Sequence, residues 1–89
     1  MSSNKPKRTP VFTLMFRYSV AQVEDAGEIA KLDPVYLKAR SAAWDRYFDT
    51  NCRFRVRRKI RAQAMATERN TARAAMRRAL ESMVPDAEP

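Results

Sequence analysis

The sequence contains no histidine, one cysteine and one glycine among its 89 residues. Zinc sites and catalytic triads ordinarily need histidine or several cysteines, and phosphate-binding loops of the Walker and dinucleotide types need several glycines. The enzyme classes built on these sites are therefore excluded, and we expect no enzymatic activity and no cofactor. Cys52 beside Arg53, and the pair Glu24 and Glu28, are weak catalytic candidates, because a free cysteine usually fills a small gap and carboxylates usually face water near a helix start.

Long apolar runs are also missing. No segment approaches the roughly 20 apolar residues that span a bilayer, and the apolar run at residues 11–16 is too short for a secretory signal. A lone cysteine cannot form an internal disulfide, which suits a reducing compartment. We therefore expect a cytoplasmic protein, nucleoid-associated or in the cytoplasm of a host cell, with no membrane partner.

Positive charge is what the sequence has in excess, with 18 Lys and Arg against 10 Asp and Glu and a net charge of +8. Ten of the cations and only one acid, Glu68, lie at residues 53–80, so this basic block carries +9, while residues 1–52 carry +2 and residues 81–89 carry −3. Most of the cations are arginines, whose planar groups form forked hydrogen bonds with phosphate. The pattern indicates a polyanionic partner, although a merely solvated basic face is the alternative.

The length of the chain predicts one small domain. Residues 1–9 are expected to form a disordered basic arm, residues 10–84 a single small helical domain, and residues 85–89 a disordered acidic tail. A core built from about 75 residues is marginal on its own, and oligomerisation is a common remedy. We therefore expect a homodimer.

Residues 11–20 alternate in hydrophobicity over their whole length. Period two in a run rich in aromatic and β-branched residues predicts a strand with one buried face. Its backbone then needs a ladder partner, either in this chain or in another copy. The predicted buried face consists of Phe12, Leu14, Phe16, Tyr18 and Val20.

Helix signals follow this strand. Ser19 and Gln22 are placed for a capping box, and the helix they begin is predicted to stop near Leu32. Asp33 and Pro34 then predict the start of a second helix, which runs to about residue 49. This second helix is expected to carry much of the aromatic core through a stripe formed by Leu37, Ser41, Trp44 and Phe48.

Residues 49–51 offer the one break before a long third helix, with Thr50 as a possible cap. A second strand at residues 52–57 is the alternative to the start of that helix. We favour the helix, because the basic, alanine-rich stretch that follows has strong helix propensity and no stop signal intervenes. The predicted fold is mainly α, with a short N-terminal β-strand followed by two helices and a long basic C-terminal helix.

The predicted function is nucleic-acid binding, with DNA favoured, through neutralisation of phosphates by arginine-rich segments. In a helix, one ridge carries Arg53, Arg57 and Arg61. A second ridge carries Arg55, Lys59, Arg73 and Arg77. The candidate binding residues lie in the arm, the strand and the basic block: Lys5, Lys7, Arg8, Arg17, Arg53, Arg55, Arg57, Arg58, Lys59, Arg61, Arg73 and Arg77.

The order of strand, helix and helix over residues 10–48, after a basic arm, resembles the ribbon-helix-helix family of DNA-binding proteins. The resemblance implies that two copies pair their strands into an antiparallel ribbon whose polar face enters the major groove of DNA. It also implies that this face consists of Val11, Thr13, Met15 and Arg17.

Two further functions stay open. The chain is alternatively a small phage-type protein that binds an acidic surface on a host protein or nucleoprotein complex and inhibits or modulates it, with aromatic and methionine side chains as anchors. It is also alternatively a structural component of a virion or ribonucleoprotein assembly, in which neighbours complete its core.

Overall fold

Four helices make up the fold in the computed structural model, which describes residues 9–86. They are α1 (Val11–Leu14), α2 (Val20–Lys31), α3 (Pro34–Asp49) and α4 (Phe54–Glu81), and a 3-10 turn (Met15–Arg17) follows α1. No strand occurs within this range. The predicted mainly α class is therefore right, but its N-terminal strand is wrong.

The segment predicted as a strand folds instead as α1, the 3-10 turn and the start of α2. Its buried side chains are Val11, Leu14 and Tyr18, and steps of three and four residues are those of a helix. Phe12 and Phe16, which the alternating pattern placed in the core, are 73% and 70% exposed. Residues 11–20 carry apolar side chains both at the two-residue spacing of a strand and at the three- and four-residue spacing of a helix. The helical arrangement forms because its backbone hydrogen bonds need no second strand.

The ribbon implied by the family resemblance is thus not seen in residues 9–86. Among the expected groove-facing residues, Val11 is buried and Met15 is half-buried, whereas Thr13 and Arg17 are exposed. At about 100° per helical residue these four side chains do not share one face.

Local signals set the boundaries of α2 and α3 as the sequence predicts. The backbone N–H of Gln22 donates to Ser19 Oγ at 3.1 Å, and the N–H of Ser19 donates to Gln22 Oε1 at 3.1 Å, so the capping box is confirmed. The Asp33 carboxylate accepts hydrogen bonds from two backbone N–H groups in the first turn of α3, where proline takes the first position. The predicted second helix start is therefore confirmed.

The long helix α4 begins at Phe54, so the helix favoured at residues 52–57 is confirmed over the strand. Thr50 does not cap α4; its hydroxyl donates to the carbonyl oxygen of Arg46 at the end of α3. The N-cap of α4 is Arg53, which forms no capping hydrogen bond through its side chain. With 28 residues, α4 is about 42 Å long. No helix between residues 9 and 86 combines the length and apolarity needed to cross a bilayer.

Helices α2 and α3 follow one another along α4 and run antiparallel to it. Near the start of α2, the Gln22 side chain donates to the carbonyl oxygen of Val84, just beyond the end of α4, at 2.7 Å. Near the end of α3, the Tyr47 ring lies under the guanidinium of Arg57, close to the start of α4. The long helix therefore holds the other three helices together.

Alanines make up half of the buried apolar residues within residues 9–86. Ala26, Ala64, Ala75 and Ala79 are buried, and Leu80 is the one large side chain below 2% exposure among residues 9–86. The main cluster joins α1, α2 and the last turns of α4. Because alanine carries little apolar area, this core gains less from burial than one built from leucine or phenylalanine.

The molecule is thin. Its extents are 52 × 39 × 18 Å and its radius of gyration is 16.5 Å, whereas a compact domain of this size has about 12 Å. A single layer of helices leaves many apolar side chains uncovered, and α3 has no buried residue at all. The aromatic core predicted on α3 is therefore wrong: Leu37 is 41% exposed and Phe48 is 68% exposed.

We expect the start of α3 to make unfolding sensitive to acid. The Arg78 Nε donates to the Asp33 carboxylate at 2.9 Å, and this bond, with those from the backbone, holds the pKa of Asp33 below its ordinary value of 3.8. A lowered carboxyl pKa contributes stability that is complete above the ordinary value and is lost as the pH falls through the lower one. Replacing Asp33 with asparagine should destabilise the protein at neutral pH and reduce its further loss of stability below about pH 4.

Urea unfolding followed by circular dichroism at neutral and acidic pH measures both effects. Asp49→Asn is the matched control, because Asp49 is exposed and forms no ion pair within residues 9–86. Identical acid sensitivity in the wild type and Asp33→Asn would contradict this assignment.

Candidate nucleic-acid interface

Cations concentrate where α3 turns into α4. We define the hairpin end as residues 46–61, which comprise the last turn of α3, the connection Thr50–Arg53 and the first two turns of α4. This segment carries seven Lys and Arg and one acid, Asp49. Arg57 is half-buried and the other six are exposed: Arg46, Arg53, Arg55, Arg58, Lys59 and Arg61.

None of these seven cations is neutralised by a carboxylate of residues 9–86. The ion pairs found within residues 9–86 all lie outside the hairpin end. They join Lys31 to Glu28, Arg40 to Glu68, Arg77 to Glu81, and Arg78 to Asp33. Glu68, the single acid of the basic block, is engaged with α3, since it also accepts a hydrogen bond from Trp44 Nε1 at 2.8 Å. The charge of the hairpin end is therefore available to an external anion.

Aromatic rings lie among these cations. The guanidinium carbon of Arg57 is 4.7 Å from the centroid of the Tyr47 ring, and that of Arg58 is 5.9 Å from the Phe54 ring. The Tyr47 ring also packs edge-on against Phe48, with centroids 5.1 Å apart. Cation–π contacts orient the arginines, and the exposed Phe48 and Phe54 leave apolar rings beside them.

The backbone adds positive potential at the same place. The first turn of α4 presents N–H groups without helical acceptors, and the N-cap Arg53 supplies no side-chain acceptor for them. The aligned peptide dipoles of a long helix are equivalent to roughly half a positive charge at this end. The helix start therefore reinforces the arginines around it.

The remaining predicted binding residues lie elsewhere. Arg73 is exposed further along α4, and Arg77, with a side chain only 15% exposed, pairs with Glu81 and donates to the carbonyl oxygen of Thr9. About 29 Å of helix separates Arg58 from Arg77. Arg17 is exposed just beyond α1, which packs against the same distant end of α4. Lys5, Lys7 and Arg8 lie outside the described residues.

The structure thus brings together Arg53, Arg55, Arg57, Arg58, Lys59 and Arg61 and leaves Arg17, Arg73 and Arg77 apart from them. Sequence analysis missed Arg46 and the aromatic neighbours Tyr47 and Phe48. The sequence feature that could have identified them is the short connection between two predicted helices. Such a connection makes an antiparallel hairpin and places the end of one helix beside the start of the next.

The catalytic alternatives gain no supporting cluster. Within residues 9–86, no three His, Cys, Asp or Glu side chains come together as a metal site would require. Cys52 is free and half-buried in the connection between α3 and α4. Glu24 and Glu28 are exposed on α2, where Glu28 pairs with Lys31 at 3.4 Å.

Comparison with known proteins identifies no relative: no family model, no curated protein and no solved structure matches the chain. The resemblance to ribbon-helix-helix proteins consequently stays a prediction. The function has to be argued from the residues of the hairpin end.

Proposed function

We propose that this protein binds nucleic acid, with DNA as the favoured ligand, through the hairpin end. The observation that supports this function is the set of seven cations that no carboxylate of residues 9–86 neutralises, placed around the uncapped start of α4. A surface of this kind attracts phosphates and gains affinity by releasing the counterions that surround them.

The residues of the hairpin end have different roles in binding, according to their exposure and contacts. Exposed guanidinium groups, chiefly those of Arg55, Arg58 and Arg61, contact phosphates, which they can engage through two hydrogen bonds each. Arg57 is held against Tyr47 and strengthens the local potential from a fixed position. The exposed ring of Phe54 can stack on a base where a strand is open.

Binding is expected to weaken steeply with salt. If five cations each neutralise one phosphate, the slope of log K against log salt is about −4.5 on duplex DNA. Fluorescence anisotropy with labelled duplex DNA, single-stranded DNA and structured RNA between about 50 and 200 mM salt measures the slope and ranks the three ligands. Absence of binding to all three at the lowest salt would rule the proposal out.

The proposal includes no catalytic step and no cofactor. It assigns the protein to the cytoplasm, where nucleic acid is accessible and a free thiol such as Cys52 stays reduced. It also retains the homodimer expected from the size of the chain, because the thin, alanine-rich layer buries little apolar surface by itself.

A second candidate function is binding to another protein, and the surface of α3 favours it. Leu37, Trp44 and Phe48 line an open groove together with the charged Arg40 and Glu68. An aromatic anchor beside arginine is typical of protein interfaces. Capture from a nuclease-treated lysate separates the two functions, because a nucleic-acid-binding protein loses its partners there and a protein-binding one retains a specific partner.

A further inference from the structure

An apolar patch lies at the end of the molecule opposite the hairpin end. We define the N-terminal patch as Phe12, Phe16 and Val20, which are 70–77% exposed, with the half-buried Met15 and Val23 between them. The two phenylalanine rings stack edge to face with centroids 5.3 Å apart. Together with Glu24, these side chains line one shallow hollow.

We infer that a second copy of this chain covers the N-terminal patch and that the two copies form a two-fold symmetric dimer through it. The inference concerns self-association and does not depend on nucleic-acid binding by the hairpin end. Three properties of the patch lead to it: its size, its distance from the hairpin end, and the two charges at its rim.

The size of the patch suits a reversible dimer. Two phenylalanines exposed to this extent, with Val20, present roughly 400 Å² of apolar surface, which is as large as the main patch of a typical monomer. With its rim, a contact between two such patches buries on the order of 1,000 Å², the lower range for a specific interface. We therefore expect a dissociation constant on the order of micromolar.

Electrostatics favour contact at this end. Two chains of net charge +8 repel each other, and the repulsion is strongest where their hairpin ends meet, since each carries seven cations and one acid. The N-terminal patch packs on the last turns of α4, whereas the hairpin end surrounds its first turns. Association through the patch keeps both hairpin ends away from the contact, where they stay open to ligand.

The charges at the rim are suited to a two-fold contact. Arg17 follows Phe16 directly, and Glu24 lies one helical turn after Val20; neither forms an ion pair within residues 9–86. In a two-fold interface, a contact between one residue of the first copy and another residue of the second copy occurs twice, with the roles exchanged. Arg17 of one copy can therefore pair with Glu24 of the second, and the reciprocal pair forms as well.

Sedimentation velocity of the full chain across concentration tests the inference. The wild type is expected to dimerise, and Phe12→Ser with Phe16→Ser should raise the dissociation constant by at least about a hundredfold, because two buried rings are lost from each copy. Phe48→Ser with Phe54→Ser is the matched control, since it removes two equally exposed rings at the hairpin end. The control should dimerise as the wild type does.

Charge reversal gives a test that does not remove apolar surface. Arg17→Glu and Glu24→Arg should each weaken self-association, because like charges then face each other in both reciprocal pairs. Mixed in equal amounts, the two variants should form a heterodimer in which both pairs are restored, which fluorescence energy transfer between labelled chains detects. Circular dichroism confirms that each variant is folded.

Three results would overturn the inference. The first is a wild type that stays monomeric at about 100 µM, well above the micromolar dissociation constant expected. The second is a double-serine variant at the patch that dimerises unchanged. The third is a charge-reversed mixture that associates no better than its components. DNA binding measured at concentrations where the chain is monomeric reports on the hairpin end separately.

Discussion

Replacing Arg55, Arg58 and Arg61 together with glutamine is expected to lower the affinity for duplex DNA by roughly 10²- to 10³-fold at about 0.1 M salt. Each lost phosphate contact removes about 0.9 logarithmic units at this salt, because fewer counterions are released. The salt slope should fall by about one for each arginine that contacts a phosphate. The three side chains are exposed and glutamine has a similar helix propensity, so the fold should be unaffected. Fluorescence anisotropy measures both quantities.

The control replaces Lys31, Lys38 and Arg69 with glutamine. These residues are exposed and lie outside the hairpin end, and each triple variant lowers the net charge from +8 to +5. Binding that follows total charge would weaken equally in the two variants. That result would contradict a localised site, whereas a loss confined to the first variant places the phosphate contacts at the hairpin end.

Leu80→Ala is expected to remove about 3 kcal/mol or more of the free energy of unfolding. Leu80 has no exposed surface and packs among Val11, Leu14, Tyr18 and Ala26, so alanine leaves a cavity that the small neighbours cannot fill. A domain of this size has about 5–10 kcal/mol in total, and the melting temperature should fall by more than about 10 °C. Thermal unfolding followed by circular dichroism measures the shift.

Leu32→Ala is the matched control, because this substitution removes the same atoms from a side chain that lies at the end of α2 and is 75% exposed. Its effect should stay within about 0.5 kcal/mol. If the two variants melted at the same temperature, the cluster around Leu80 would not be the main source of stability.

The boundaries of α2 and α3 could be predicted from sequence because their causes are local. The Ser19–Gln22 capping box and the Asp33–Pro34 start each depend on side chains within three residues of the backbone groups they satisfy. The length of α4 follows from an equally local property, the absence of glycine and proline after residue 34 until Pro85. Such local signals determine where a helix begins and ends as long as the tertiary contacts are compatible with them.

The predicted N-terminal strand failed for a different reason. Residues 11–20 contain apolar side chains at both strand and helix spacing, and the choice between the two depends on what is available to pair with the backbone. Within residues 9–86 no second strand exists, while Ala79 and Leu80 offer a surface for Val11 and Leu14. That surface comes from residues more than 60 positions away, which no local window contains.

The exposure of the α3 stripe could not be predicted, because the same apolar residues would occur in a fold with two layers of helices and in a fold with one. Leu37, Trp44 and Phe48 read as core in a bundle with two layers, but this chain forms one layer in which they line an open groove. For the candidate site, the charge of residues 53–61 could be predicted from composition. The approach of Tyr47 to Arg57 depends on how the hairpin closes.

The single-layer construction has a consequence for how this protein can change over evolution. Few side chains are enclosed on all sides, so most positions border water and tolerate substitution with little effect on folding. Selection can therefore adjust the arginine content of α4, and with it ligand preference, almost independently of the scaffold. Constraint should instead concentrate on Leu80 and the alanines beneath it, where any larger side chain would force the helices apart.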